Sequence, residues 1–391
     1  AVFAEWDERG EIPVEEISAS IRDIARTLNR ESSPGFPWTT LSAKNGSIVD
    51  AHLELVVEAV IRRLRALSTF DTTQTLTPKE CVVAGLCDIS KLFCKEEPHS
   101  QKKLDEGRIR LIVSMSIVDN IIARLLFALQ NNTEINNWET IPSKPGVGFS
   151  DVNLTNLYKG TISKKDKAMA DVTGWDWAMQ EFDFAADLER RAFLNGGKNS
   201  IWYKIASAHF YVVQRKLFML ADGSLYAQVN PGIMPSGWYC TSSTNSFVRC
   251  LNSYWVQLQS GLMTYELWAE AMGDDCLERF VEDAKRFYAD LGKILKFYES
   301  FTDEFEFCSL LFKDGIGAPV SPDKMLVNLF QHANREMAFK VQVFNQFAYE
   351  TRNLSLELRH ELFELVQTSG YWEGIDTDIV CDSNLPFIEG W

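Results

Sequence analysis

The stretch Ala271-Met272-Gly273-Asp274-Asp275-Cys276-Leu277 decides the reading of this chain. The residues from Met263 to Met272 lead into it, and Cys276-Leu277 turns apolar again. That pattern predicts strand, turn, strand, with Asp274 and Asp275 at a hairpin tip. Taken alone, Gly-Asp-Asp is only a solvated turn, because Gly and Asp favour turns for their own reasons. Earlier in the chain, Lys167-Ala-Met-Ala170 reads as a short strand that ends in Asp171. If the two strands are neighbours, Asp171 and Asp274 converge. Magnesium takes hard oxygen ligands, usually one or two carboxylates plus phosphate oxygens. Nucleotidyl transfer uses two such ions about 3.5–4 Å apart. Asp171 and Asp274, with Asp275 beside them at the tip, are the candidate carboxylates for such chemistry.

Two neighbouring stretches reverse the odds against a plain turn. Asp171-Val-Thr-Gly-Trp-Asp176 supplies a second carboxylate, and Ser236-Gly-Trp-Tyr-Cys-Thr241-Ser-Ser-Thr-Asn245 supplies a strip of small polar groups. A ribose 2′-OH is both donor and acceptor, and it separates RNA from DNA. Asp176 and Asn245 together can bond it, with Ser236 and Thr241 ordering that pair. The run Thr241 to Asn245 equally reads as the start and cap of a helix. Both readings stand, since a helix N-terminus near a nucleotide is useful.

The main basic cluster is the segment from Lys95 through Lys103 to Gly107-Arg108-Ile-Arg110-Leu-Ile112. Lys95, Arg108 and Arg110 can neutralise an incoming triphosphate, and the planar fork of Arg suits phosphate oxygens. A solvated charged loop is the alternative for the same residues.

The bulk numbers bound these readings. The chain has 391 residues, 46% hydrophobic and 12% aromatic, enough for a large core in two or three subdomains. The net charge of −15 counts against a protein that simply coats a phosphate backbone. It tolerates an enzyme whose basic groups line an internal channel while acidic groups hold metal. No run approaches the length of a membrane span, and the opening residues do not resemble a signal peptide. The chain opens at Ala1 without Met, as expected of a trimmed chain or one cut from a longer precursor. Eight cysteines without a CxxC pair suggest a reduced setting rather than a disulfide scaffold.

Helical spacing appears over 48–67 and 116–130, and again over 279–291, where Gly292 fits the position just past a helix end. Residues 304–312 alternate like a strand and stop at Lys313-Asp-Gly315. After Pro322 the pattern is mostly helical as far as Gly370. The Asn-rich stretch 130–137 reads as a surface turn. The five histidines are scattered without metal spacing, and the aromatic residues read mainly as packing, with Trp38 a candidate for lining a channel. Irregular interleaving of helices and short strands predicts an α+β fold with an antiparallel sheet, not a βαβ repeat.

The ordered set of motifs resembles a viral RNA-dependent RNA polymerase of the positive-strand type, in the sobemovirus and polerovirus group. Asp171-x4-Asp176 is similar to that family's motif A, Ser236-Gly-x3-Thr241-x3-Asn245 to motif B, and Gly273-Asp-Asp275 to motif C. Lys95-Glu96 through Arg108-Ile-Arg110 resembles motif F, Ser32-Ser-Pro-Gly35-Phe-Pro37-Trp38 motif G, and Glu306-Phe-Cys-Ser309 the motif E hairpin. Ile141-Pro-Ser-Lys-Pro-Gly146 and the run Ser114 to Arg124 fit the same group. The likeness runs from about residue 32 to 312.

The resemblance implies a right hand. Residues 1–165 would be mostly fingers, 166–312 the palm with a fingers insertion near 185–230, and 313–391 a short helical thumb. It implies RNA-templated RNA synthesis that replicates a positive-strand genome in the cytoplasm of an infected host cell. Magnesium is the implied cofactor, with manganese as a substitute; Asp171 and Asp274 would be the main metal ligands, with Asp275 assisting. Template and nascent RNA and ribonucleoside triphosphates are the implied partners, with a genome-linked protein primer and other replicase proteins beside them. Ser32, Ser33, Gly35 and Pro37 would meet the template. A motif D lysine would act as general acid toward pyrophosphate. Lys293 and Lys296 both lie in that region, Lys296 being preferred; either also reads as a solvated cation near a helix end.

Two rivals are weighed against this. A reverse transcriptase or DNA polymerase shares the chemistry, but Asp176 and Asn245 argue for ribonucleotides. A silent RNA-binding scaffold would keep clustered carboxylates without use for them, which is costly.

Overall fold

The computed structural model describes residues 2–95, 97–99 and 101–372. It is a mixed α+β structure. In chain order the strands are β1 Ser90–Cys94, β2 Leu111–Ser114, β3 Lys167–Val172, β4 Leu217–Met219, β5 Leu225–Ala227, β6 Ala269–Met272, β7 Asp275–Arg279, β8 Leu295–Phe301, β9 Phe305–Phe307, β10 Leu310–Lys313 and β11 Ile316–Pro319. They form three sheets, ordered β2-β1-β4-β5, β6-β7-β3-β8 and β11-β10-β9. All pairings are antiparallel except β1 with β4.

The β6-β7-β3-β8 sheet positions the candidate site. In β3 the buried residues alternate, Ala168, Ala170 and Val172, so Met169 and Asp171 face the other way. Small residues on β6 and β7 let a helix lie close. Ala269, Ala271 and Cys276 pack against Cys250 and Tyr254 of the Thr241–Gln259 helix. That helix buries polar as well as apolar residues, and the polar ones find partners. Thr244 Oγ1 donates to Asp187 Oδ2 at 2.7 Å, and Gln257 Nε2 donates to Trp268 O at 2.9 Å. Arg191, wholly buried, donates to Asp187 at 2.8 Å and to Ser243 Oγ at 2.9 Å. Burial opposes ionisation of Asp187, but Arg191 and Arg190 hold its carboxyl down at about 2.

The β11-β10-β9 sheet meets the β6-β7-β3-β8 sheet through Phe305, whose ring lies 5.0 Å from that of Phe301 on β8. Phe305 lies against Phe312 at 4.9 Å and Tyr158 at 6.0 Å, both nearly parallel. Such pairs contribute about 0.5–1.5 kcal/mol each beyond their buried area. The main hydrophobic core lies elsewhere, among the helices Val14–Thr27, Asn45–Thr69, Ile117–Asn136 and Ile201–Val213. The helices Pro322–Phe330, Met337–Thr351 and Leu356–Thr368 enclose a separate core around Leu329, Phe344, Phe347 and Val366. No helix of the described residues is long and apolar enough to cross a membrane.

Four local expectations change. The helix expected from Arg279 begins at Ala284, because Arg279 still pairs with Lys167 as the last residue of β7. Its end is as expected: Gly292 has a φ of 71° and its N–H bonds to Ala289 O. The single strand expected over 304–312 is two strands, parted where Cys308 and Ser309 take positive φ. The stretch 130–137 is not a surface turn but the end of the Ile117–Asn136 helix, with Asn131 buried against Arg191. Trp38 is buried in the main core rather than lining a channel.

Candidate active site

Asp171 and the Gly273-Asp274 turn meet because β3 pairs directly with β7, with Ala170 opposite Cys276. Asp274 occupies the turn and Asp275 opens β7. The turn is held from behind by the Thr241–Gln259 helix. Ser246 Oγ accepts the Gly273 N–H at 2.8 Å. Arg249 Nε donates to the Asp274 carbonyl at 3.2 Å, and its Nη1 donates to Tyr288 Oη at 2.6 Å and to Glu278 Oε2 at 3.4 Å. On the other side, a backbone bond from Cys308 reaches Asp275, so the β9–β10 turn also braces the carboxylates.

The electrostatics show how close these acids are. Burial pushes the Asp275 carboxyl up to about 6, and the charges of Asp274 and Asp171 push the same way. Asp274 is raised by burial and by Asp171, against the pull of Arg110 and Arg249. Asp176 is raised by burial and by Asp274, against its bond from Asn245 and the charge of Arg110. Crowded carboxylates with so little neutralisation are what a cation relieves. Lys296, on β8, is one cation at hand: its Nζ lies 2.7 Å from Asp171 Oδ2. Lys293, three residues earlier, is wholly buried and bonds Asp183 Oδ2 at 2.6 Å.

No set of three His, Cys, Asp or Glu among the described residues is gathered closely enough to hold a metal ion by itself. Magnesium does not require one, since substrate phosphates and water complete its shell. The donor set, hard carboxylate oxygens crowded at one turn, fits a divalent cation.

Asn245 Nδ2 donates to Asp176 Oδ1 at 2.9 Å. Asn245 Oδ1 is buried with no hydrogen-bond partner, an acceptor that a hydroxyl would satisfy. Ser236 and Thr241 do not touch this pair. Ser236 Oγ accepts the Val113 N–H of β2 at 3.1 Å, and Thr241 Oγ1 donates to the carbonyls of Pro235 and Trp238. They order the loop before the helix instead. The polar run does start that helix, yet no side chain caps it. Gly237 has no room for a side chain: a Cβ would sit 2.5 Å from Val113 O.

The basic loop reaches toward the acids, since the charge of Arg110 is felt by both Asp176 and Asp274. Arg110 and Lys95 share Glu97, at 3.2 and 2.7 Å. Arg108 pairs with Glu106. His99, set aside on sequence, organises this loop. Its Nδ1 lies 2.8 Å from Glu97 O, and its Nε2 takes the Arg110 N–H at 3.1 Å, which assigns a neutral ring donating from Nδ1. Glu96 lies outside the described residues.

Ser32 and Ser33 line a cleft of about 350 Å³ that also touches Phe93, Ser114 and Gly237. Gly35 packs its backbone on Met115 with a φ of 70°; a Cβ there would meet Met115 O at 2.4 Å. Pro37 leads into the short 3-10 turn Trp38–Thr40 and accepts a bond from Thr40 Oγ1 at 2.7 Å. Sequence reading also missed Arg249 and Ser246, whose value appears only when the helix meets the turn. Their spacing after Ser242 on one helix face was the only signal available.

A family model described as viral RNA-directed RNA-polymerase matches residues 6–164 and 168–322. The chain is 40% identical over 315 residues to the replicase polyprotein P2AB of Cocksfoot mottle virus, covering 77% of this chain and 32% of the relative. It is 33% identical over 333 residues to the RNA-directed RNA polymerase of Mushroom bacilliform virus, covering 81% and 78%. Protein P1-P2 of Potato leafroll virus is 33% identical over 371 residues, covering 90% and 33%. The chain thus spans about a third or less of the length of the replicase polyproteins P2AB that it matches.

Proposed function

The chain belongs to the viral RNA-directed RNA-polymerase family, and from that premise we propose that it extends an RNA strand on an RNA template, using ribonucleoside triphosphates. The observation that carries this reading is the meeting of Asp171 with Asp274 and Asp275 beside the Asp176–Asn245 pair. In this reading the β6-β7-β3-β8 sheet and its helices are the palm (166–312, with a fingers insertion near 185–230). Residues 1–165 are mostly fingers, and 313–391 form the thumb, of which 373–391 lie outside the described residues.

The primer 3′-OH attacks the α-phosphate in line, and pyrophosphate leaves. Asp171, Asp274 and Asp275 would hold divalent metal, magnesium or manganese, which supplies charge neutralisation at the reacting phosphate and the attacking oxygen. Arg110, Lys95 and Arg108 take the triphosphate, with Arg110 and Lys95 released from Glu97 as it enters. Asp176 and the free Asn245 Oδ1 bond the ribose 2′-OH, the acceptor matching the hydroxyl proton. Lys296 gives a proton to the leaving pyrophosphate. Catalysis is then mostly positioning and charge neutralisation. Replication of a positive-strand genome with other parts of a viral polyprotein, a genome-linked protein primer and a cytoplasmic setting complete the proposal.

Primer extension tests it. The native chain and Asp274→Asn are compared on a short RNA template–primer with labelled ribonucleotides and magnesium. Template-dependent product from the native chain alone is expected. Equal product from both removes Asp274 from the chemistry.

A further inference from the structure

Among the described residues, Arg124 meets no carboxylate. Its Nε is buried with no hydrogen-bond partner, and none of the ion pairs among the described residues includes it. Other sheltered arginines behave differently: Arg63, Arg190, Arg191 and Arg249 each meet an acid. In a chain with 54 acidic and 39 basic residues, an idle guanidinium is unusual. What Arg124 does touch is the ring of Tyr239, 4.4 Å from its centroid.

The backbone that carries Tyr239 is tied to the helix that carries Arg124. Asn120, one turn before Arg124 on the same helix, donates to Gly237 O at 3.2 Å and accepts the Tyr239 N–H at 3.0 Å. The pair opens into the cleft of about 350 Å³ that Ser32, Ser33, Phe93 and Gly237 also line, and among the described residues Arg124 is the one charged side chain on its walls. A guanidinium held over an aromatic ring, with no hydrogen bond spent among the described residues, suits a phosphate. The triphosphate has its own cations elsewhere. The charge of Arg110 reaches Asp176 and Asp274, whereas that of Arg124 reaches Tyr239.

We propose that Arg124, stacked on Tyr239, is a template-positioning residue that grips one phosphodiester of the single-stranded template in the cleft between Ser32-Ser33 and Gly237. The inference rests on the polymerase reading and adds a residue to it.

The test is a binding cycle on a labelled primer–template, read by fluorescence anisotropy. Single methylphosphonate linkages, which carry no charge, are walked along the overhang. For the native chain one position should weaken binding by about tenfold. For Arg124→Gln the same position should cost nothing further, and the salt slope of binding should fall by about 0.7, the value of one single-strand phosphate. Arg124→Lys should keep the slope, Tyr239→Phe should keep both effects, and the KM for ribonucleotides should stay unchanged in all. Penalties that simply add, or a raised nucleotide KM with unchanged template affinity, overturn the role of Arg124. A native chain that neither binds nor extends RNA overturns the polymerase reading itself.

Discussion

Lys296 Nζ lies 2.7 Å from Asp171 Oδ2 across neighbouring strands, while Lys293 on the preceding turn is sealed against Asp183. The two lysines therefore serve different ends. Lys296 is largely exposed, so its ion pair adds little to stability. Lys296→Leu should leave the melting temperature unchanged and lower kcat by about 10²–10⁴, the usual contribution of a positioned proton donor. Lys293→Met should instead destabilise the fold by about 3–5 kcal/mol by stranding buried Asp183. Single-turnover kinetics and urea titration separate them. Full kcat in Lys296→Leu would remove the general-acid role.

Asp176 and Asn245 form a pair with one acceptor left over, Asn245 Oδ1. A site that hydrogen-bonds a hydroxyl rejects the analogue lacking it far better than an apolar site does. Asp176→Ala and Asn245→Leu should each reduce the preference for ribonucleotides over deoxyribonucleotides by about tenfold or more. The measurement is the ratio of kcat/KM for matched nucleotide pairs. An unchanged ratio would mean that the pair only shapes the loop.

The parts of the fold that are legible in the sequence are those set by local pattern. The strand into Asp171, the turn at Gly273-Asp274 and the helices over 48–67 and after Pro322 all follow from periodicity and turn chemistry. What escapes is set by tertiary partners. Asn131 and Glu134 look like solvated residues until Arg191 and Arg190 arrive from another helix. Arg279 looks helical until Lys167 pairs with it. Sequence proximity groups Ser236 and Thr241 with Asp176 and Asn245, yet their hydroxyls are spent on Val113, Pro235 and Trp238. Residue type announces a hydrogen bond; only the fold says to whom it goes.

Arg249 links the Asp274 carbonyl to a buried pair, Glu278 and Tyr288, whose own hydroxyl donates to Glu278 Oε2 at 2.6 Å. Removing the guanidinium alone leaves Glu278 buried and unpaired. Arg249→Met should cost about 3–5 kcal/mol. Adding Glu278→Gln should recover roughly half of that, since the stranded charge is gone. Synthesis should not return with stability, because the turn still lacks its brace. A double variant with native activity would show that the Asp274 turn holds itself.

Lys216 offers a stability test by pH. Its Nζ is buried and donates to Val213 O at 2.7 Å, Gly232 O at 3.0 Å and Ile233 O at 2.7 Å, tying down the backbone just before Ser236. Burial pushes its pKa down to about 7 from an ordinary value of 10.5. Between those values the unfolded chain holds a proton that the folded chain does not, and the neutral amine keeps two N–H donors for the three carbonyls. The contribution of Lys216 to stability therefore rises with pH across that window, by up to about 1.4 kcal/mol per unit. Lys216→Met loses the carbonyl bonds at every pH but also loses this titration. The stability of the native chain minus that of Lys216→Met, from urea titrations at pH 7 and pH 9.5, should be larger at the higher pH. A difference that is flat or falls with pH would mean that the three carbonyls keep the ammonium charged in the fold.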